Sequence, residues 1–389
     1  MARRVLFHVG LPKTGTTYLQ SMMWANRDEL ARQGVLLPGT SGREHLWASG
    51  VVRGDPRIDR RGPDAAGAWD RLVAEMAAWP GTAVVSHEFF SSATAARAQR
   101  AVAAVGGPDE PAEVHVVLTA RDTLSLVTAR WQEFVKNGST VPVDRYPVRE
   151  GTTSHDDWDW GSLDLADVLE RWGSAVPHER VHVLTLPKPG EPRETLWLRF
   201  AELVGIDPTT CADTEATPNE SLGVVEVELL RRINADLDGF STAIDRGNWI
   251  RGYLAQGKLV PRRGDRFWPS AERAAELCER GNRVVDAVQA GGYDVVGDVA
   301  DLRPPAELPT RRHPDDVSDA EMLAASTAVI AAMLTDVRRL TRHKRTLEQE
   351  LEQWRSEPLP DLARRTARRT ARETLRATVG RLRRVGHRT

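Results

Sequence analysis

The residues best suited to chemistry lie near the start of the chain, in Gly10-Leu11-Pro12-Lys13-Thr14-Gly15-Thr16-Thr17, directly after the apolar run Val5–Val9. Glycines let successive backbone N–H groups converge on an anion, and a helix starting at Thr16 would aim its N-terminus at the same point. The spacing therefore predicts an anion cradle. A nucleoside-triphosphate loop carries lysine directly after its second glycine, then Ser or Thr for magnesium. Here Thr16 holds the lysine position and the loop's lysine is Lys13. A P-loop kinase or nucleoside triphosphatase is thus the poorer alternative. Two further polar pairs follow short apolar runs: His87-Glu88 after Ala83–Ser86, and Arg121-Asp122 after Val114–Thr119.

The order strand, Pro-Lys-Thr-Gly-Thr-Thr, helix resembles the 5′-phosphosulfate loop of the bacterial P-loop sulfotransferase family, and the likeness extends over roughly residues 3–300. The resemblance implies a sulfuryl donor, 3′-phosphoadenosine 5′-phosphosulfate, bound without a metal. Lys13 would then stabilise the leaving phosphate, where transfer builds negative charge. Pro12, Thr14, Gly15, Thr16 and Thr17 would form the rest of the 5′-phosphate site. The family's 3′-phosphate site implies Arg121. Its accompanying hydroxyl falls at position 129, which is Ala here, and Ser125 and Thr128 are the nearby substitutes. A later basic segment would be Trp249–Gly264, with Lys258, Arg262 and Arg263. Relatives use His or Glu as the base that takes the acceptor's proton. Glu88 is favoured, His87 is its close rival, His45 comes next, and His8 is expected as a buried strand residue.

These residues need a scaffold. Val5–Val9, Ala83–Ser86, Val114–Thr119 and Val181–Thr185 read as strands, separated by helical patterns at 70–79, 124–136 and 163–172. Alternation of this kind predicts a parallel α/β sheet flanked by helices, with ligands beyond the carboxyl ends of its strands. A helix should run from Thr16 to Gly34, with others at 194–203 and 221–238. Residues 137–157 are polar and aperiodic, as in a lid or acceptor loop.

The globular domain is expected over 1–301, followed by a Pro-rich linker at 302–316. Ser318-Asp319-Ala320-Glu321 is a capping-box pattern. Beyond it Leu323, Ile330, Val337, Lys344 and Leu351 recur every seven residues, as do Ser326, Met333, Leu340, Leu347 and Trp354. This heptad pattern over 317–357 predicts a coiled-coil-like helical extension able to self-associate through 323–354.

The net charge is −2. Ten arginines against Asp361 and Glu373 give residues 361–389 a charge of +8, leaving −10 on residues 1–360. The tail at 358–389 could meet an anionic membrane or a polyanion, or serve only as a solvated end. The acidic body argues mildly against a strongly polyanionic acceptor. The expected acceptor is a glycan, glycolipid or small metabolite offering a hydroxyl or amine. The rival from another class is a catalytically silent nucleotide-binding module whose working part is the coiled coil. Cys211 and Cys278 match no metal or disulfide spacing. No apolar run reaches bilayer length, and the expected location is cytoplasmic, with peripheral membrane contact through the tail as the variant.

Overall fold

A computed structural model describes residues 2–105, 112–148, 158–188, 190–212, 221–305 and 307–356. The chain divides into two compact units between Met322 and Leu323.

The first unit is built on six parallel strands: β1 (Arg4–Gly10), β2 (Val35–Leu36), β3 (Thr82–Ser86), β4 (Glu113–Ala120), β5 (Val181–Thr185) and β6 (Asp294–Val296). Their order across the sheet is β2-β3-β1-β4-β5-β6, and every pairing is parallel. The two edge strands were not foreseen. They are two and three residues long and carry no apolar run that would mark them.

The central strand shows why the sheet forms. Val5 through Val9 are all fully buried, because helices cover both faces of the sheet. Val5, Phe7 and Val9 point into one core, where the Phe7 ring meets Trp69, Phe90 and Trp172. Leu6 points into the other, with Leu19, Met23, Val117 and Phe200. His8 shares that second face and is buried as expected.

The main helices of this unit are α1 (Thr16–Ala25), α2 (Gly42–Arg53), α3 (Ala68–Ala78), α4 (Ala95–Val105), α5 (Thr123–Lys136), α6 (Leu165–Gly173), α7 (Thr195–Val204), α8 (Val224–Asp236) and α9 (Ala271–Ala290). The single helix expected from Thr16 to Gly34 is instead two. Asn26 breaks it: its side chain donates to the Met22 carbonyl at 2.9 Å and to the Ala212 carbonyl at 3.0 Å, and a separate turn of helix resumes at Arg27. A run of wide π-type turns, Arg246–Leu259, occupies part of the segment expected as a basic loop.

Successive connections carry the chain from β1 out to β2, back to β3, and then across β1 to β4. The strand order reverses at β1. In parallel sheets that reversal opens a crevice at the carboxyl ends of the strands, and Gly10, Ser86 and Ala120 are the strand ends that border it here.

The expected lid at 137–157 lies partly outside the described residues, which omit 149–157. The described part is tied down: Tyr146 is fully buried, and Asp144 accepts from the Ser270 N–H at 2.8 Å. Pro189, Asn219-Glu220 and the Arg-rich tail also fall outside. The expected linker at 302–316 runs against the first unit, with a bridge between Phe267 and Arg312 and a Trp268 side-chain N–H bond to the Pro309 carbonyl at 3.1 Å.

The last helix, α10 (Asp319–Ser356), opens on the expected capping box. Glu321 accepts from the Ser318 N–H at 3.0 Å, and Ser318 Oγ accepts from the Glu321 N–H at 3.4 Å. The heptad residues Leu323, Ile330, Val337, Leu340, Leu347 and Leu351 are exposed. Lys344 pairs with Glu348 on its own helix at 3.5 Å. By length and composition, Asp319–Arg355 contains an 18-residue window apolar enough to cross a membrane, although its uninterrupted apolar run is shorter, as expected. The Ala- and Leu-rich stretch from 322 to 335 is bounded by acidic residues rather than interrupted by them.

Candidate active site

β1 delivers its last residue, Gly10, to the crevice at a φ of 128°, a conformation side chains resist. A Cβ there would sit 3.0 Å from the Glu88 carbonyl oxygen. Gly15 caps α1 at a φ of 82°, and a Cβ on it would strike Leu196 of α7 at 2.5 Å. Both glycines are therefore required by shape as well as by backbone angle. Lys13 also takes a positive φ, 65°, which turns the loop back on itself.

Side chains hold the loop's inner surface. The Thr14 hydroxyl is buried, donates to the Leu11 carbonyl, and lies 2.6 Å from the Thr119 hydroxyl of β4. Thr119 in turn donates to the Gly10 carbonyl at 3.1 Å, and its own carbonyl accepts the Leu11 N–H at 3.0 Å. The outward-facing groups are left open. No side chain caps α1, there is no acidic residue in its first turn, and the Thr16 and Thr17 hydroxyls have no partner among the described residues. Such an N-terminus attracts an anion.

Lys13 reaches across to α5, where its Nζ lies 3.3 Å from Glu133 Oε2. Arg251 holds the other Glu133 oxygen at 3.0 Å. Burial alone would push the Glu133 carboxyl up, but Lys13, Lys136 and Arg251 together hold it below the usual carboxylate range. Glu133 was not foreseen, because no local pattern pairs it with a lysine 120 residues earlier in the chain.

The β3 exit carries His87 and Glu88. His87 caps the short turn Glu88–Ser92: its Nδ1 accepts the Phe89 N–H at 3.2 Å, and Ser49 Oγ is 3.4 Å away. Accepting at Nδ1 places the ring proton on Nε2. Glu88 Oε2 accepts from the Gln20 amide at 3.3 Å and lies 4.0 Å from His87 Nδ1. Burial would raise the Glu88 carboxyl, but His87, its own backbone, Gln20 and Arg130 outweigh it and keep the group ionised. Gln20 was missed in the sequence, although it stands one turn past Thr16 on the same face of α1.

His45 is fully buried. Its Nε2 faces the Pro38 carbonyl at 2.7 Å and its Nδ1 accepts the Ser86 N–H at 3.1 Å. Both nitrogens are occupied, which makes it a packing residue rather than a base.

Arg121 follows β4 as expected, and no hydrogen bond or ion pair engages it among the described residues. Burial lowers its guanidinium, Asp122 opposes this, and Arg266 lowers it further. Arg266 was not foreseen. It stands beside Phe267, whose bridge to Arg312 brings Arg311 alongside, and Arg311 lies over the Trp268 ring at 3.9 Å. The expected helpers are engaged elsewhere: Arg262 pairs with Glu226 at 2.9 Å and Lys258 sits over Tyr253. Nothing local in the sequence marks Arg266, because packing between distant segments brings it in.

On the hydroxyl side, Ser125 gives its backbone N–H to Asp122 at 2.8 Å, and its own hydroxyl has no partner among the described residues. The Thr128 hydroxyl is buried and donates to the Leu124 carbonyl at 2.8 Å. Ser125 is thus the better placed of the two substitutes for position 129. Among the described residues no group of three or more His, Cys, Asp or Glu is arranged to hold a metal ion.

A second polar cluster sits at the opposite edge of the sheet. Glu113, His115, His182 and Asp294 form a chain, with contacts of 3.0, 2.7 and 2.6 Å from one to the next. Burial and Arg4 push His115 down to about 4.

No family model matches the chain, and no curated protein matches it. Among solved structures it is similar to the crystal structure of a sulfotransferase from Alicyclobacillus acidocaldarius, at 16% identity and a TM-score of 0.34, over 61% of this chain and 94% of that one. A likeness at that level says nothing about individual residues.

Proposed function

We propose that the chain is a sulfotransferase that moves a sulfuryl group from 3′-phosphoadenosine 5′-phosphosulfate to a hydroxyl, or an amine, of a glycan, glycolipid or small metabolite. The observation that carries this reading is a pair of cationic positions on one sheet edge: Lys13 in the glycine loop, and, one strand away, Arg121, which has no partner among the described residues. A ligand with two separated anionic groups fits that arrangement, and this donor has them at its 5′ and 3′ ends. The residues fit on a second count. Gly10 and Gly15 take the positive φ that wraps the loop round the open end of α1, whose first turn carries no acidic residue.

The donor supplies an activated sulfuryl group: the acceptor oxygen bonds to sulfur, the bond from sulfur to the bridging oxygen breaks, and that electron pair goes to the 5′-phosphate. The chain's own groups handle the charge and the proton. Lys13 stabilises the new phosphate charge once it leaves Glu133, and the N–H groups of α1 share the task. Glu88, already ionised and 22% exposed, takes the acceptor's proton. The His87 nitrogen that could accept a proton is committed to its cap, so Glu88 is the stronger candidate. Thr16, Thr17 and Ser125 add hydroxyls to the phosphates.

The reading is tested by thermal denaturation with nucleotides. 3′-Phosphoadenosine 5′-phosphate should raise the melting temperature, and ATP with Mg²⁺ should not. The opposite pattern would favour a kinase or nucleoside triphosphatase.

A further inference from the structure

A cleft of about 690 Å³ is lined in part by Phe89 and Phe134, the chain neighbours of Glu88 and Glu133. Its volume suits a small-molecule ligand.

One wall holds a buried acceptor in need of a donor. Asn234 is 8% exposed, and its amide nitrogen is spent on the Val135 and Ser139 carbonyls at 2.8 and 3.0 Å. Those two bonds fix which end of the amide is which. Its oxygen, Oδ1, is buried with no partner. Leaving such an atom unsatisfied is costly, so a ligand hydroxyl is the natural complement.

The charge of the cleft is opposite to that of the body around it. Asp55 is shared by Arg53 and Arg57, each at 2.8 Å. Arg61 has no partner among the described residues. One Arg246 nitrogen, Nη1, donates to the Phe240 and Ser241 carbonyls at 3.5 and 2.6 Å, and no carboxylate pairs with Arg246 among the described residues. With Asp238 as the only other acid in the lining, four arginines face two aspartates, in a body that carries −10 over residues 1–360. The remaining wall is aromatic: Phe134 and Trp158 stack with their centroids 5.1 Å apart, and Arg130 lies over Trp158 at 4.0 Å, which leaves the ring edges as apolar lining beside the charges.

We infer that the acceptor is a hydroxylated ring bearing an anionic group, a sugar acid or a sugar phosphate. Its anion faces Arg61 and Arg246, one hydroxyl donates to Asn234, and another is turned towards Glu88. This rests on the sulfotransferase reading for the identity of the reacting end, but the binding itself can be measured apart from it.

Isothermal titration of the full chain with glucuronate, glucose 6-phosphate and glucose makes the test. Both anionic sugars should bind at least about 10-fold more tightly than glucose, the increment of one charge-assisted contact. Arg246→Ala and the exposed Arg61→Ala should each remove most of that preference while leaving the response to 3′-phosphoadenosine 5′-phosphate unchanged. Asn234→Ala, which removes the acceptor, should weaken all three sugars. Equal binding of charged and neutral sugars, or no binding of either anionic sugar, overturns the inference, and so does an unchanged preference in the Arg61 variant. A protein that binds the anionic sugars but ignores the nucleotide keeps the cleft assignment and loses the sulfuryl-transfer reading instead.

Discussion

The two edges of the sheet carry similar residue types and treat them in opposite ways. At the amino edge Glu113, His115, His182 and Asp294 complete one another's hydrogen bonds within the protein. At the carboxyl edge Arg121 has no partner among the described residues, the end of α1 has no side-chain cap, and Lys13 leans on a Glu133 that Arg251 also claims. Both are polar clusters on buried strands. What separates a structural cluster from a candidate site is unmet valence, because a buried polar group is tolerated only when something satisfies it. At one edge the protein supplies that partner, and at the other the place is left for a ligand.

Mutations can break this contrast. The largest effect is expected at the carboxyl edge: Lys13→Ala should lower sulfuryl transfer by about 100-fold or more in a donor-to-acceptor assay, the scale seen when a charge-stabilising donor is lost. Glu88→Gln should slow transfer with little change in donor affinity, while a His87→Ala variant that slowed it more would reassign the base. Full turnover in the Lys13 variant would remove the reason for placing chemistry here at all.

Next comes Arg121→Gln. Loss of one charge-assisted contact should weaken 3′-phosphoadenosine 5′-phosphate by about 10- to 100-fold. Adenosine 5′-phosphosulfate, which lacks the 3′-phosphate, should be unaffected. Because the guanidinium has no partner to lose, the melting temperature of the free protein should not fall. An equal loss for both nucleotides would mean that Arg121 does not read the 3′ end.

The amino edge should answer in reverse. His182→Leu removes the partner of His115 Nδ1 and of the Asp294 carboxylate, and should cost about 1–3 kcal/mol of stability without altering nucleotide binding. Melting curves and nucleotide titrations on the same variant separate the two effects. A changed nucleotide affinity would show that the edges communicate.

The smallest effect is the pH response. Burial lowers His8 and His45 to about 4 each. The unfolded chain therefore binds protons first as pH falls. Their contribution to stability is complete above about pH 6.5 and is drained as pH drops from there towards 4. Melting temperatures between pH 7 and pH 5 should decline accordingly, and His45→Gln should flatten that decline.

Much of the fold was legible because its central strands announce themselves. A strand buried on both faces is a continuous apolar run, and β1, β3, β4 and β5 all have one. The edge strands β2 and β6 do not, and were missed. The anion cradle was legible for a similar reason: its glycines, lysine and threonines are contiguous. The rest of the candidate site was harder. Arg266, Arg311 and Asn234 reach their positions through packing between segments far apart in sequence, and no local pattern reports that. The break at Asn26 was hidden too, since it depends on a bond to Ala212.

Thr119 has one more implication. Its backbone and hydroxyl clamp the start of the cradle to β4, and Arg121 leaves the same strand two residues later. The two proposed anion positions would thus be mounted on one rigid bar, and the gap between them would behave as a caliper. Such a gauge accepts ligands by the separation of their charged ends before any base is read. It would turn away a nucleotide whose phosphates are strung together at one end, however many of them it carried.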